Sequence, residues 1–209
     1  MFDAELLATE FGAGASPIVL NNSTEVNSRT LVGGDFSPLS SASLILPASV
    51  SNLRISEIHF NPADPTPTEL AIDALFESDD FEFIEIFNPN SSGSINLEGL
   101  QVADGVSFTF GNVDLGPNER AVIVEDTFAF RARYGDNIRV LGQWSGGLSN
   151  SGETIDLLDS DLSEIMSVNY QDNDPWYIAT DGFGFSLVLE DPANTPVDEL
   201  GKYLSLIHI

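Results

Sequence analysis

An all-β sandwich interrupted by one short helix is the fold that this sequence predicts, and three observations predict it. Short apolar and β-branched runs recur along the chain. Clusters of Gly, Pro, Asn, Asp and Ser separate them at short intervals, the spacing of strands and turns in a sandwich. Only the stretch after Glu125 shifts from period two to helical spacing.

The elements follow in order. Residues 16–46 form a unit of their own: SPIVL (16–20), a polar turn, EVNSRTLV (25–32), a break at Gly33 and Gly34, then FSPL (36–39) and ASLIL (42–46). Residues 47–52 read as a linker and residues 53–59 as the first strand of the main module. Residues 63–79 read as an insertion loop in which ELAIDALF (69–76) holds one or two helical turns. Residues 80–88 give the clearest strand. Phe81, Phe83, Glu85 and Phe87 share one face, and Asp80, Glu82, Ile84 and Ile86 share the other. The aromatic face is the expected core. Further strands are expected at residues 95–97, 100–102, 107–110, 120–125, 138–141, 154–158, 164–170 and 185–190. Asp126 and Thr127 cap the one helix, Phe128, Arg131 and Tyr134 give its spacing, and Gly135 ends it.

Five motifs in a fixed order carry a family resemblance: LRISEIHFNP (53–62), DFEFIEIFN (80–88), Asp104 and Gly105 before SFTF (107–110), LSNSGETIDL (148–157) and DGFGFSL (181–187). Together they resemble the bacterial lamin-tail domain over roughly residues 50 to 193. The resemblance implies an immunoglobulin-like β-sandwich with a short helix at the point where one is expected. It also implies an accessory module of large secreted or surface-attached proteins, often beside hydrolases or nucleases. The family's closing segment, with a tryptophan and a Gly-Ser-Pro-Gly run, has no counterpart here. The spacing in residues 16–46 is similar to the last strands of a chitobiase C-terminal-like, fibronectin type III-associated domain. LSLIHI (204–209) matches a translated sequencing adapter. The expected organisation is therefore a partial β domain over 1–47, the lamin-tail domain over 48–200 and a truncated end over 201–209.

Composition excludes several functions. With 33 acidic and 7 basic residues the chain carries a net charge of −26, which repels nucleic-acid backbones and anionic membranes. No cysteine is present, so disulfides, thiolate nucleophiles and zinc thiolates are all excluded. No apolar run approaches the roughly 20 residues that span a bilayer. The first ten residues carry acids where a signal peptide needs basic residues. Because both ends look cut, the expected setting is extracellular or cell-surface, with the signal upstream.

A catalytic triad needs a histidine base, and the chain has only His59 and His208. His59 stands before Asn61 and Pro62, where a packing or turn role is the better reading. There is no nucleophile elbow, phosphate loop or dinucleotide fingerprint, and Lys202 is the only lysine. Among the many carboxylates, Glu85 lies on an apolar strand face and needs a partner. Arg54, Arg120, Arg139 or a calcium ion would serve, with Glu57 beside it, so Glu57 and Glu85 are the candidate metal ligands. Calcium is the one cofactor that the acids leave open. Asp156, Asp159, Asp161 and Glu164 have a calcium-loop look, but they lack the glycine of an EF-hand and sit between strands, so a hairpin turn is expected. Asp172 and Asp174 likewise read as a turn.

Trp144, Trp176 and Tyr177, with Tyr170 nearby, are the candidate ligand-binding residues, since aromatic rings on one exposed face stack on sugars. The competing reading buries both tryptophans in the core. The leading functional expectation is a noncatalytic adhesion or scaffolding module, with the other domains of its polypeptide and extracellular protein or polysaccharide as partners. The alternatives are a carbohydrate-binding module and the accessory part of a hydrolase whose catalytic domain is missing.

Overall fold

The structure, a computed structural model, describes residues 24–44, 49–173, 176, 178–193 and 204–208. The chain divides into two units, Met1–Leu46 and Pro47–Ile209.

In the first unit, β1 (Thr24–Ser28) pairs antiparallel with β4 (Ser40–Leu44), and β2 (Leu31–Val32) forms a tight hairpin with β3 (Asp35–Phe36). Gly33 and Gly34, both at positive φ, make the turn between them.

The second unit is a sandwich. Its strands are β5 (Arg54–His59), β6 (Phe83–Phe87), β7 (Ile95–Asn96), β8 (Gln101–Ala103), β9 (Val106–Thr109), β10 (Asp114–Leu115), β11 (Arg120–Val124), β12 (Val140–Gln143), β13 (Ser145–Gly146), β14 (Gly152–Leu158), β15 (Glu164–Gln171), β16 (Phe185–Leu189) and β17 (Leu204–His208). Six form one sheet in the order β12-β11-β6-β5-β16-β17, and five form the other in the order β13-β9-β8-β14-β15. The expected all-β fold is thus the observed one. The core lies between the sheets, where Ile55, Ile58, Ile84, Ile86 and Leu187 of the first meet Val102, Ile155, Leu157, Met166, Val168 and Tyr170 of the second.

One expectation about this core is corrected. The face of β6 turned to the second sheet carries Ile84 and Ile86, not the aromatics. Phe83 lies on the opposite face and packs with Val122, Val124 and Phe130. Phe81 precedes the strand, in a 3-10 turn over Asp79–Phe81, and belongs to a third cluster with Phe76 and Ala129. All three phenylalanines are buried, but not together. Period two identified two buried faces without saying which one meets a sheet.

Helix α2 (Thr127–Tyr134) covers the outer face, and it begins and ends where expected. The Asp126 carboxylate accepts from Ala129 N at 2.8 Å, and Gly135 stops it at φ 86°. Its buried side differs from the expected one, since Ala129 and Phe130 face inward while Phe128 is 56% exposed. The insertion loop holds one turn, α1 (Pro67–Leu70). Thr66 and Glu69 form a reciprocal capping box there, with Pro67 at the first helical position.

The acidic 158–164 segment is the expected hairpin. The Asp159 carboxylate accepts from Asp161 N at 2.9 Å and Ser163 N at 2.8 Å, which commits that oxygen to the turn. Residues 204–208 pair antiparallel with β16.

Candidate functional site

The two candidate carboxylates do meet. A β-bulge in β5 lets both Ser56 and Glu57 face Glu85 of β6, where regular pairing would offer one residue. Ser56 Oγ donates to Glu85 Oε1 at 2.6 Å. Arg120, one strand further on, forms an ion pair with the same carboxylate, and its guanidinium lies 4.1 Å from the centre of the Phe87 ring. Of the three arginines expected as partners, Arg120 is the one observed. On the other side, Ser186 Oγ donates to Glu57 Oε1 at 2.5 Å. Burial raises the Glu57 carboxyl to about 7; the Ser186 bond opposes this and the like charge of Glu85 adds to it. A cation bridging Glu57 and Glu85 has to compete with Arg120, Ser56 and Ser186. Among the described residues, no three His, Asp or Glu side chains gather as metal ligands do.

His59 closes β5 and is 2% exposed. Its Nδ1 lies 3.1 Å from the Tyr134 hydroxyl, which donates to Phe81 O at 3.2 Å, and its ring meets Phe83 edge-on. Burial, then the nearby Arg133, lowers its pKa to about 3. A ring so reluctant to take a proton is a poor general base, and the packing role holds. Beside it opens a cleft of about 260 Å³ lined by Ala63, Thr66, Glu69, Arg133, Tyr134 and Phe183. Two of the charges there, Arg133 and Glu69, are already paired with each other. Arg133 forks onto Glu69 at 2.8 and 3.0 Å, donates to Ala63 O at 2.9 Å and stacks on Phe81. That guanidinium holds the Glu69 carboxyl down at about 2.

Among the described residues, no aromatic platform assembles. Trp144 is 7% exposed and belongs to the core, fixed by its backbone N–H bonding Val124 O at 3.1 Å. Its ring has no free face for a sugar. Tyr170 is fully buried and stacks on Phe60 with centroids 4.6 Å apart. Trp176 is half-buried and packs against the core, and Tyr177 lies outside the described residues.

Two glutamates were missed by reading the sequence for sites. Glu82 extends β6 by one residue and is completely buried on the Ile84 side, with its Oε2 accepting from Leu148 N at 3.2 Å. Burial pushes its carboxyl up to about 9, and Asp79, Glu125 and Glu153 add to the shift. The signal was present: Glu82 keeps the period of Ile84 and Ile86, so an inward Ile84 places it inward too. Glu153 shows what the LSNSGET motif is for. Its Oε1 accepts from Ser149 N at 2.6 Å and from Tyr170 Oη at 2.9 Å, tying the turn to the neighbouring strand. Gly152 sits at φ 100°, and a Cβ there would stand 2.6 Å from Tyr170 O. Asn88, ending the second motif, is fully buried and shares the two hydrogens of its Nδ2 among the carbonyls of Gly93, Leu115 and Gly116, while its Oδ1 accepts from Asn90 N at 3.1 Å. Asn61 of the first motif donates to Asp181 of the last at 2.6 Å.

The motif residues thus tie the turns and strands of one sandwich together. The lamin tail domain family matches residues 47–172. This match gives no support to the chitobiase-like reading of the residues before it. No curated protein matches the chain at a significant level. With the family matched over more than half of its length, the chain belongs to the lamin tail domain family.

Proposed function

We propose that the chain is a noncatalytic accessory module, of the adhesion or scaffolding kind, in a larger secreted or surface-attached protein. One observation carries this reading: the polar residues of the motifs spend their hydrogen bonds on the fold. Asn88 holds three carbonyls, Glu153 ties a turn to Tyr170, Asn61 ties the ends of two strands through Asp181, and Glu85 is held by Ser56 and Arg120. Catalytic groups, by contrast, keep a reactive atom available to substrate. The extracellular setting comes with the family resemblance. Among the described residues, no helix is long and apolar enough to cross a membrane.

The test is a panel of glycoside, phosphodiester and ester substrates offered to the purified chain with calcium or magnesium. No turnover above background is expected. Turnover that disappears in Glu57→Gln or Glu85→Gln would make the chain an enzyme and end this reading, because a carboxylate pair suffices for hydrolysis.

A further inference from the structure

The loop between α1 and β6 and the first turn of α2 leave apolar side chains uncovered. Ile72, Leu75 and Phe128 are 52%, 84% and 56% exposed. Phe128 is attached to a rooted cluster, and Leu75 precedes a member of it in the chain. Phe76 is 8% exposed, with its ring 5.4 Å from Phe81 on the inside and 5.6 Å from Phe128 on the outside. The loop also has a fixed shape, since Asp73 N bonds Glu69 O at 3.0 Å, Phe76 N bonds Asp73 O at 3.4 Å and Leu75 N bonds the Asp73 carboxylate at 2.9 Å. Large exposed apolar groups on a well-formed surface mark an interaction site more often than scattered single ones do.

The charge around this patch has one sign. Asp73, Glu77, Asp79 and Asp80 lie in the loop itself, and Glu125 and Asp126 lead into α2. Burial and then the repulsion of Asp80, Asp126 and Asp79 raise the Glu125 carboxyl, so these acids feel one another. No Lys or Arg occurs between Arg54 and Arg120 in the sequence. On α2, Arg131 is paired with Asp136 and Arg133 with Glu69.

We propose that this face docks a basic, apolar segment of another protein, one in which Lys or Arg side chains flank leucine-like or aromatic side chains. Such a segment meets both features at once: its apolar residues cover Leu75 and Phe128, and its cations meet the carboxylates around them. A bare cation would leave the apolar side chains in water. An anionic membrane or nucleic acid is repelled by the net charge of −26. A second copy of the chain would bring the same acids against themselves. The proposal rests on the noncatalytic-module reading and gives that module a partner chemistry.

The probe is a fluorescent amphipathic peptide of Leu and Lys, compared by anisotropy titration with an oligo-lysine of equal charge and with the Leu–Glu counterpart. The Leu–Lys peptide is expected to bind at least about tenfold more tightly than oligo-lysine, with no binding of the Leu–Glu peptide. Its affinity should fall several-fold between about 50 and 500 mM salt. The double variant Leu75→Ser with Phe128→Ser should lower affinity about tenfold or more. Because Phe128 also touches Phe76, its melting temperature should fall slightly, whereas Leu75→Ser alone should leave the melting temperature unchanged and still weaken binding. Asp79→Asn with Asp80→Asn should weaken binding and flatten the salt dependence. No binding, equal binding of oligo-lysine, or undiminished binding by the double variant would overturn the proposal. So would a dimer in sedimentation velocity that the double variant loses, which would assign the face to a second copy. Failure of this kind without substrate turnover leaves the accessory-module reading standing. Turnover lost in Glu85→Gln would remove that reading whether or not peptide binds.

Discussion

The two faces of the six-stranded sheet solve the same problem with different chemistry. Toward the second sheet, Ile55, Ile58, Ile84, Ile86, Ile123 and Leu187 are each at most 2% exposed, and the face is closed by apolar contact, with the buried Glu82 carboxyl at its end as the exception. The outer face has no second sheet. Part of it lies under α2, where Phe83, Val122 and Val124 meet Phe130. The rest is closed by charge: Glu57 and Glu85 side by side, with Ser56, Ser186 and Arg120 bonded to them. A sheet covered by one helix leaves strand positions at the helix margin, and paired polar groups fill those positions without exposing the core. The charge set between two isoleucines in the Ile84-Glu85-Ile86 strand therefore has an architectural reason.

The largest test of this contrast compares the faces directly. Phe83→Ala on the outer face should destabilise by roughly 3–5 kcal/mol, as much as Ile84→Ala on the inner face at roughly 2–5 kcal/mol. Urea unfolding measures both. If Phe83→Ala costs under about 1 kcal/mol, α2 is a loose cover and the outer face is not a second core.

Alternation in residues 80–88 and turn chemistry made the strands and the helix legible in the sequence. Asp126 and Gly135 bounded α2, whereas the capping box of Thr66 and Glu69 went unread, so the turn expected within 69–76 lies at Pro67–Leu70. The orientation of β6 was not legible, because the phenylalanines and the isoleucines are each apolar enough to be the core. Only the tertiary position of Phe130 decides that the aromatic side meets a helix. The juxtaposition of Glu57 and Glu85 was readable from adjacent strands, but the bulge at Ser56 that adds a hydroxyl was not. For Trp144 the sequence left two readings open, and its place in the core cluster decides for burial.

Glu82 gives the next effect, with a sign that depends on pH. An unfolded glutamate ionises near 4.5, and in the fold burial holds Glu82 protonated up to about 9. Between those values the native state keeps a proton that the unfolded chain has released, so stability falls as pH rises across the window. Glu82→Gln keeps the shape and removes the titration. It should raise stability by roughly 1–3 kcal/mol at pH 8 and change little at pH 4. Chemical denaturation at the two pH values measures this, and a loss of stability at pH 8 would mean that Glu82 is ionised and held by its neighbours.

Glu57 gives the smallest effect and separates the two faces by where its influence ends. Its carboxyl is raised to about 7, first by burial, against the Ser186 bond and with the help of Glu85. The same linkage applies, so its contribution to stability declines from about pH 4.5 to about pH 7 and is flat above that. Because Glu57 is partly exposed and keeps the Ser186 bond, where Glu82 is fully buried, its effect should be the smaller of the two, within about 2 kcal/mol. Glu57→Gln should therefore raise the melting temperature slightly at pH 8, leave it unchanged at pH 4, and show the whole difference developed by pH 7. In Glu82→Gln, the difference from the parent chain should still be growing between pH 7 and pH 9. Parallel melts across pH 4 to 9 would reveal the two end points, and identical profiles for the two variants would erase the distinction between a face closed by a sheet and a face closed by paired charge.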